Sequence, residues 1–135
     1  MTTPFTGSDF VGSDRDNGFG LQFVAEGDTY TATYTFKPHQ QGPLNIAHGG
    51  AIAALVDEAM TSTVYQSGKG PAYTVNLNIA FRNPAYIGQE VRIIAKITSV
   101  SGRKIYLRTE IFTDDGAIAA EADGLFIRLD DAQDG

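Results

Sequence analysis

Residues His48 to Gln66 read HGGAIAALVDEAMTSTVYQ, a stretch without proline in which Ala, Leu, Met and Glu recur. Such a composition predicts a helix that ends before Gly68. Ile52, Val56, Ala59, Met60 and Thr63 fall on one face, yet Ala51, Ala53, Ala54 and Leu55 make the remainder apolar as well. A helix that is apolar on nearly all sides has to be buried on nearly all sides. The chain offers one segment of this kind, so the other elements must be arranged around it.

Downstream the period changes from helical to two. Tyr73, Val75, Leu77, Ile79 and Phe81 are expected to point one way, and Thr74, Asn76 and Asn78 the other. Strand-like runs follow at Val91–Val100 and Lys104–Thr113, separated by Ser101-Gly102-Arg103, and Asp114-Asp115-Gly116 signals a hairpin into Ala117–Arg128. Upstream, Phe19–Ala25 and Thr29–Phe36 flank the turn residues Glu26-Gly27-Asp28. Connections this short make the strands antiparallel. The expected fold class is therefore α+β: an antiparallel sheet of about five or six strands wrapped around one long central helix. It would occupy residues 18–129, between a loose polar leader (1–17) and a loose tail (130–135).

Composition narrows the function. A chain of 135 residues fits one domain. Sixteen acidic against ten basic residues give a net charge of −6, which argues against a nucleic-acid partner. There is no cysteine and there are only two histidines, so disulfides, thiolate–zinc sites, cysteine nucleophiles and a His-rich metal centre are not expected. The longest unbroken apolar run, Ala51–Val56, falls far short of the ~20 residues of a spanning helix. Met1–Asn17 lacks the apolar core of a secretory signal. No membrane partner and a cytoplasmic location are the expectation. G-x-S-x-G, Walker A and G-x-G-x-x-G patterns are absent.

The chemistry concentrates where the helix begins. Gly49 and Gly50 each cost about 1 kcal/mol in helix propensity relative to Ala. They make sense where something must approach the backbone. A helix N-terminus presents unpaired N–H groups and the positive end of the dipole, suited to a carbonyl oxygen that becomes an oxyanion. His48 can orient the same oxygen or hold the loop. Further along, Asp57 and Glu58 interrupt the apolar run with side chains about 100° apart, and a partly desolvated carboxylate can act as general base or nucleophile. Periodicity does not choose between them. Gly49 and Asp57 are eight residues apart, about 12 Å along a helix, so one carbonyl cannot touch both within a single chain. Two antiparallel copies of the helix about a two-fold axis could bring one copy's N-terminus beside the other's Asp57.

The segment Gly42-Pro43-Leu44-Asn45-Ile46-Ala47-His48-Gly49-Gly50, followed after six intervening residues by Asp57, resembles the signature of hotdog-fold acyl-CoA thioesterases, particularly the PaaI-like group of the 4-hydroxybenzoyl-CoA thioesterase-like superfamily. Gln41-Gly42-Pro43 is similar to one subgroup's lead-in, and Val75–Pro84 to the strand after the helix. The resemblance implies hydrolysis of an acyl-CoA by a homo-oligomer, a dimer or dimer of dimers, with no cofactor beyond the CoA of the substrate. It implies Asp57 as the carboxylate that attacks the thioester or activates water, Gly49 as the backbone donor to the thioester oxygen, His48 beside it, and Thr74 as a hydroxyl that positions water. Gly50, Gln41 and Asn45 would line the substrate. Arg82, Asn83, Arg103 and Lys104 would suit the phosphates of CoA. Many relatives carry Asn or Gln six residues before the histidine, where this chain has Gly42; either Gln41 compensates or the lead-in differs.

Each residue also has a plainer reading. Alone, His48 would be a helix cap; beside Gly49, Gly50 and Asp57 the functional reading is preferred. Glu58 is expected as the solvated or structural carboxylate, His39 as a loop residue and Thr74 equally as a structural threonine. Arg103-Lys104 reads as an exposed turn. Two other functions fit the same fold: a non-catalytic acyl-CoA-binding module, and an enoyl-thioester hydratase or dehydratase.

Overall fold

The computed structural model describes residues 19–129. The expected leader, tail and first domain residue lie outside the described residues. Strands β1 (Val24–Glu26) and β2 (Thr29–Thr35) come first, and two single 3-10 turns, Pro38–Gln40 and Pro43–Asn45, lead to helix α1 (Gly49–Gln66). Strands β3 (Ala72–Phe81), β4 (Glu90–Ser101), β5 (Lys104–Phe112) and β6 (Ile118–Arg128) follow. They form one six-stranded sheet in the order β1-β2-β4-β5-β6-β3, every neighbouring pair antiparallel.

That order dictates the burial of the helix. The segment containing α1 joins β2 near one edge to β3 at the other, so it crosses the face formed by β4, β5 and β6. Leu55, Val56, Ala59, Met60 and Val64 are completely enclosed there, in one cluster with Ile93, Ile105, Leu107, Ile111 and Phe126. Burying each Leu- or Ile-sized chain contributes about 1.5–3 kcal/mol. The polar Thr63 is tolerated at the same depth because its hydroxyl donates to the Ala59 carbonyl at 2.9 Å. Gly124 on β6 lies directly beneath the helix, where a side chain would run into the Met60 sulfur.

Three expectations are corrected. The alternation of β3 breaks at a bulge between Thr74 and Asn76. Thr74 lies opposite the buried Phe126 and Leu77 opposite the buried Gly124, so Thr74 shares the inner face with Leu77 and Ile79, while Tyr73 and Val75 are half exposed. One extra residue in a strand reverses every side chain beyond it. Of the two alternatives for Glu58, solvated or structural, the solvated one is overturned: it is 3% exposed, and Asp57 is the more accessible of the pair. The first strand is shorter than Phe19–Ala25, because Gly20 turns the chain at φ 65°. Phe19 and Phe23 are instead buried in the core, Phe19 edge-on to Tyr34 with ring centres 4.8 Å apart.

Candidate active site

The lead-in to α1 is held by backbone hydrogen bonds and one side chain. Gln40 Oε1 accepts from the Tyr34 hydroxyl at 2.9 Å and from the Lys37 N–H at 2.8 Å, and the Gln40 carbonyl accepts the His48 N–H at 2.8 Å. Burial raises the Tyr34 hydroxyl pKa and the bond to Gln40 partly offsets this. Gln40 therefore ties β2 to the start of the helix, a role missed in the sequence because Gln40 and Gln41 stand side by side. Gln41 is exposed and bridges to Ala47 through its backbone. Gly42 donates its N–H to the Ile46 carbonyl at 2.6 Å, and a Cβ there would stand 3.3 Å from His48 Cα. A side chain at Gly42 would press on the His48 backbone, and the loop would have to give by a few tenths of an ångström to admit it. Asn45 takes a left-handed φ of 63° and its carbonyl accepts from Ile87 at 3.0 Å.

His48 is the N-cap of α1: its Nδ1 accepts from the Gly50 N–H at 2.8 Å. In the neutral ring this assigns the proton to Nε2, leaving that nitrogen as a donor. A Cβ on Gly50 would lie 3.1 Å from His48 Nδ1, so a larger residue would press the capping ring away from its hydrogen bond. Gly49 differs. Its N–H has no partner among the described residues, and an added Cβ would meet nothing nearer than the Phe81 ring at 3.9 Å. Nothing in the chain's own packing demands a glycine there. The amide borders a cleft of about 440 Å³, walled by Pro43, Ile46, Ile52, Phe81 and Pro84. Arg82 and Asn83 stand on the same cleft, both engaged: Arg82 Nε donates to Glu121 Oε2 at 2.8 Å, and Asn83 Nδ2 to the Ile118 carbonyl at 2.7 Å.

The carboxylate belongs to a second cluster. Thr74 donates its hydroxyl to Asp57 Oδ1 at 2.6 Å, the length of a charge-assisted bond. The bulge in β3 is what turns Thr74 toward the helix. The bond fixes one oxygen of a half-buried carboxylate and leaves the other without a side-chain hydrogen bond among the described residues. Arg103 and Lys104 lie at this end of the sheet, where Ala72 pairs with Arg128 and Lys104 with Ile127. Arg103 is used internally, donating from Nε and Nη2 to the Arg128 carbonyl at 3.0 and 2.8 Å, whereas Lys104 is exposed. The candidates thus fall into two groups, His48–Gly50 with Arg82 and Asn83, and Asp57 with Thr74. The eight helical residues between them span about 12 Å. Among the described residues no three His, Asp or Glu side chains converge to hold a metal, and no helix is long and apolar enough to cross a membrane.

Comparison with known proteins places this site in context. Residues 44–120 match the family model of the thioesterase superfamily. The acyl-coenzyme A thioesterase THEM4 of Bos taurus is 32% identical over 120 residues, which are 85% of this chain and 49% of that protein. This chain thus spans about half the length of that relative. Among solved structures, the thioesterase superfamily protein RHA08564 superposes with a TM-score of 0.80 at 25% identity, covering 90% of this chain and 63% of that one. The PaaI protein from the phenylacetic acid degradation operon of E. coli gives 0.73 at 19% identity, covering 81% and 83%, and shares the fold.

Proposed function

The chain belongs to the thioesterase superfamily, and from that premise we propose that it hydrolyses an acyl-coenzyme A to a free acid and coenzyme A. The observation that carries this reading is the Asp57 carboxylate, oriented at 2.6 Å by Thr74 yet still accessible, inside the matched segment. In the reaction the thioester oxygen would accept from the Gly49 N–H, with the Nε2–H of His48 beside it. Asp57 would take a proton from water whose oxygen attacks the carbonyl carbon, or attack that carbon itself. On the first route the C–S bond breaks as the proton held by Asp57 passes to the sulfur, which leaves as the thiol of CoA; on the second the sulfur leaves as thiolate and takes a proton from water, and a further water hydrolyses the mixed anhydride on Asp57 to the free acid and the carboxylate. No metal or cofactor is called on, because carboxylate and amide supply both base and oxyanion contact.

The 12 Å between Gly49 and Asp57 supports a homodimer whose sites are completed across a two-fold axis. Strand β3 is the candidate seam. It is an edge strand that carries Thr74, and it exposes Tyr73 and Val75 at 49% and 50%. An unprotected apolar edge invites pairing with another strand. Gly50 serves the reading through the cap it completes, and Gln41 and Asn45 by shaping the loop that forms the mouth. Of the candidates for a CoA phosphate Lys104 suits best, since the basic Arg82 and Arg103 and the neutral Asn83 already have partners. A thiol-release assay on a panel of acyl-CoAs tests the proposal. Wild type should release CoA, and Asp57→Ala should lose activity by about 10²–10⁴-fold while keeping its fold. Turnover near wild type in that variant would contradict the assignment. Loss of enoyl absorbance without thiol release would favour a hydratase instead.

A further inference from the structure

Resting on the thioesterase reading, we infer that the cleft beside Gly49 is the acyl-group subsite and that Phe81 sets which acyl groups fit it. A thioester held at the Gly49 amide has two arms, an acyl group and a pantetheine chain leading to phosphates, and the lining of the cleft discriminates between them. Pro43, Ile46, Ile52, Phe81 and Pro84 offer apolar wall and no side-chain hydrogen bond. Pantetheine carries two amides, and a buried amide without partners costs about 1–3 kcal/mol. Of the side-chain donors at the rim, Arg82 Nε is engaged with Glu121 and Asn83 Nδ2 with the Ile118 carbonyl, and the Nε2–H of His48 stands at the Gly49 end of the cleft, which the thioester oxygen takes. Beyond the rim, the cleft adjoins a second opening that shares Asn83 and Pro84 and is lined by Asp114 and Asp115, a poor environment for phosphates. An apolar acyl group carries neither liability. A cleft of about 440 Å³ lies within the range that houses small organic ligands.

Phe81 is the adjustable wall. It lies on the inner side of the sheet opposite Ala120, at the end of β3, and its ring edge approaches the position of a Gly49 Cβ to 3.9 Å. The ring therefore stands next to the amide that would receive the thioester oxygen. It is 55% exposed in the single chain, so truncating it removes little of the core. The expected substrates are compact apolar acyl groups, aromatic or short and branched.

The test compares wild type, Phe81→Ala and the milder Phe81→Leu on acetyl-, isobutyryl-, phenylacetyl- and dodecanoyl-CoA. Both hydrolysis and binding of the non-hydrolysable ketone analogues of the same four thioesters are measured. Phe81→Ala should shift the ratio of kcat/KM, and of analogue Kd, between dodecanoyl and phenylacetyl groups by about tenfold or more toward the larger group, with Phe81→Leu between. An equal loss across all four, accompanied by the same loss for free CoA, would assign Phe81 to pantetheine and overturn the inference, as would unchanged ratios. Selective analogue binding that moves in the variants without thiol release by wild type would sink the hydrolase reading and leave the subsite standing.

Discussion

Gly49 and Gly50 stand side by side in the sequence but have different physical reasons to be glycine. Gly50 makes room for the His48 ring that caps its own N–H, whereas Gly49 leaves an amide open to a cleft. Proline at the first helical position tests the amide alone. It removes the N–H, its fixed φ suits that position, and the preceding His48 already has the extended ψ of 140° that a following proline favours. Gly49→Pro should therefore retain its melting temperature to within a few degrees while thioester hydrolysis falls by about 10²–10³-fold; an active Gly49→Pro would remove the amide from the mechanism. The importance of both glycines was legible in the sequence, because tandem glycine at a helix start is costly. The difference between them was not, since it depends on a ring folding back onto the next amide. Likewise Asp57 and Glu58 could not be separated by periodicity. Their contrast arises from what surrounds α1: Thr74 meets one carboxylate, and the other is buried.

At the scale of elements, the helix, the hairpins and the antiparallel order were readable from apolar period and turn residues. Gly102 and Gly116, at φ 60° and 91°, sit in the two turns that the sequence marks. The bulge in β3 was not readable, because Tyr73-Thr74-Val75-Asn76 alternates without a flaw and only the pairing with β6 inserts the extra residue. Its consequence is functional, since an unbulged β3 that kept Leu77 and Ile79 inward would turn Thr74 outward, away from Asp57. Gly124 shows the same dependence on partners. A Cβ there would collide with the Met60 sulfur and stand 3.1 Å from its methyl carbon and 3.3 Å from Leu77 Cδ2, and Met60 is fully enclosed. Gly124→Ala should destabilise the fold by about 1–3 kcal/mol, the usual cost of overpacking, read as a lower midpoint in urea unfolding. An unchanged midpoint would mean that the seam between α1 and β6 is loosely packed.

In the molecule as a whole the helix end and the Asp57 carboxylate stand about 12 Å apart, and it is on the proposed reading that a second copy completes the site. The molecule's outer surface adds an ionic network in which Glu121 bonds both Arg82 and Arg108, and Arg108 also lies 3.3 Å from Asp123 and 3.5 Å from Glu110. The bond from Arg82, followed by that from Arg108, holds the Glu121 carboxyl below its ordinary pKa of 4.5. A depressed folded-state pKa contributes stability above the unfolded value, and this is lost as pH falls through the folded one. Thermal stability should thus decline below about pH 4.5, and Glu121→Gln should flatten that acid limb in melting curves; an identical limb would mean that solvent screens the network entirely.

The central claim is that amide and carboxylate come from different copies of the chain, and mixing two disabled variants tests it. Asp57→Ala retains the Gly49 amide and Gly49→Pro retains the carboxylate, so a heterodimer would hold one intact site of its two. Refolding equal amounts together forms half heterodimers, and hydrolysis should recover to about a quarter of the wild-type rate, from two parents that are each inactive. A mixture of well-folded dimers with no more activity than its parents would contradict a site shared between subunits.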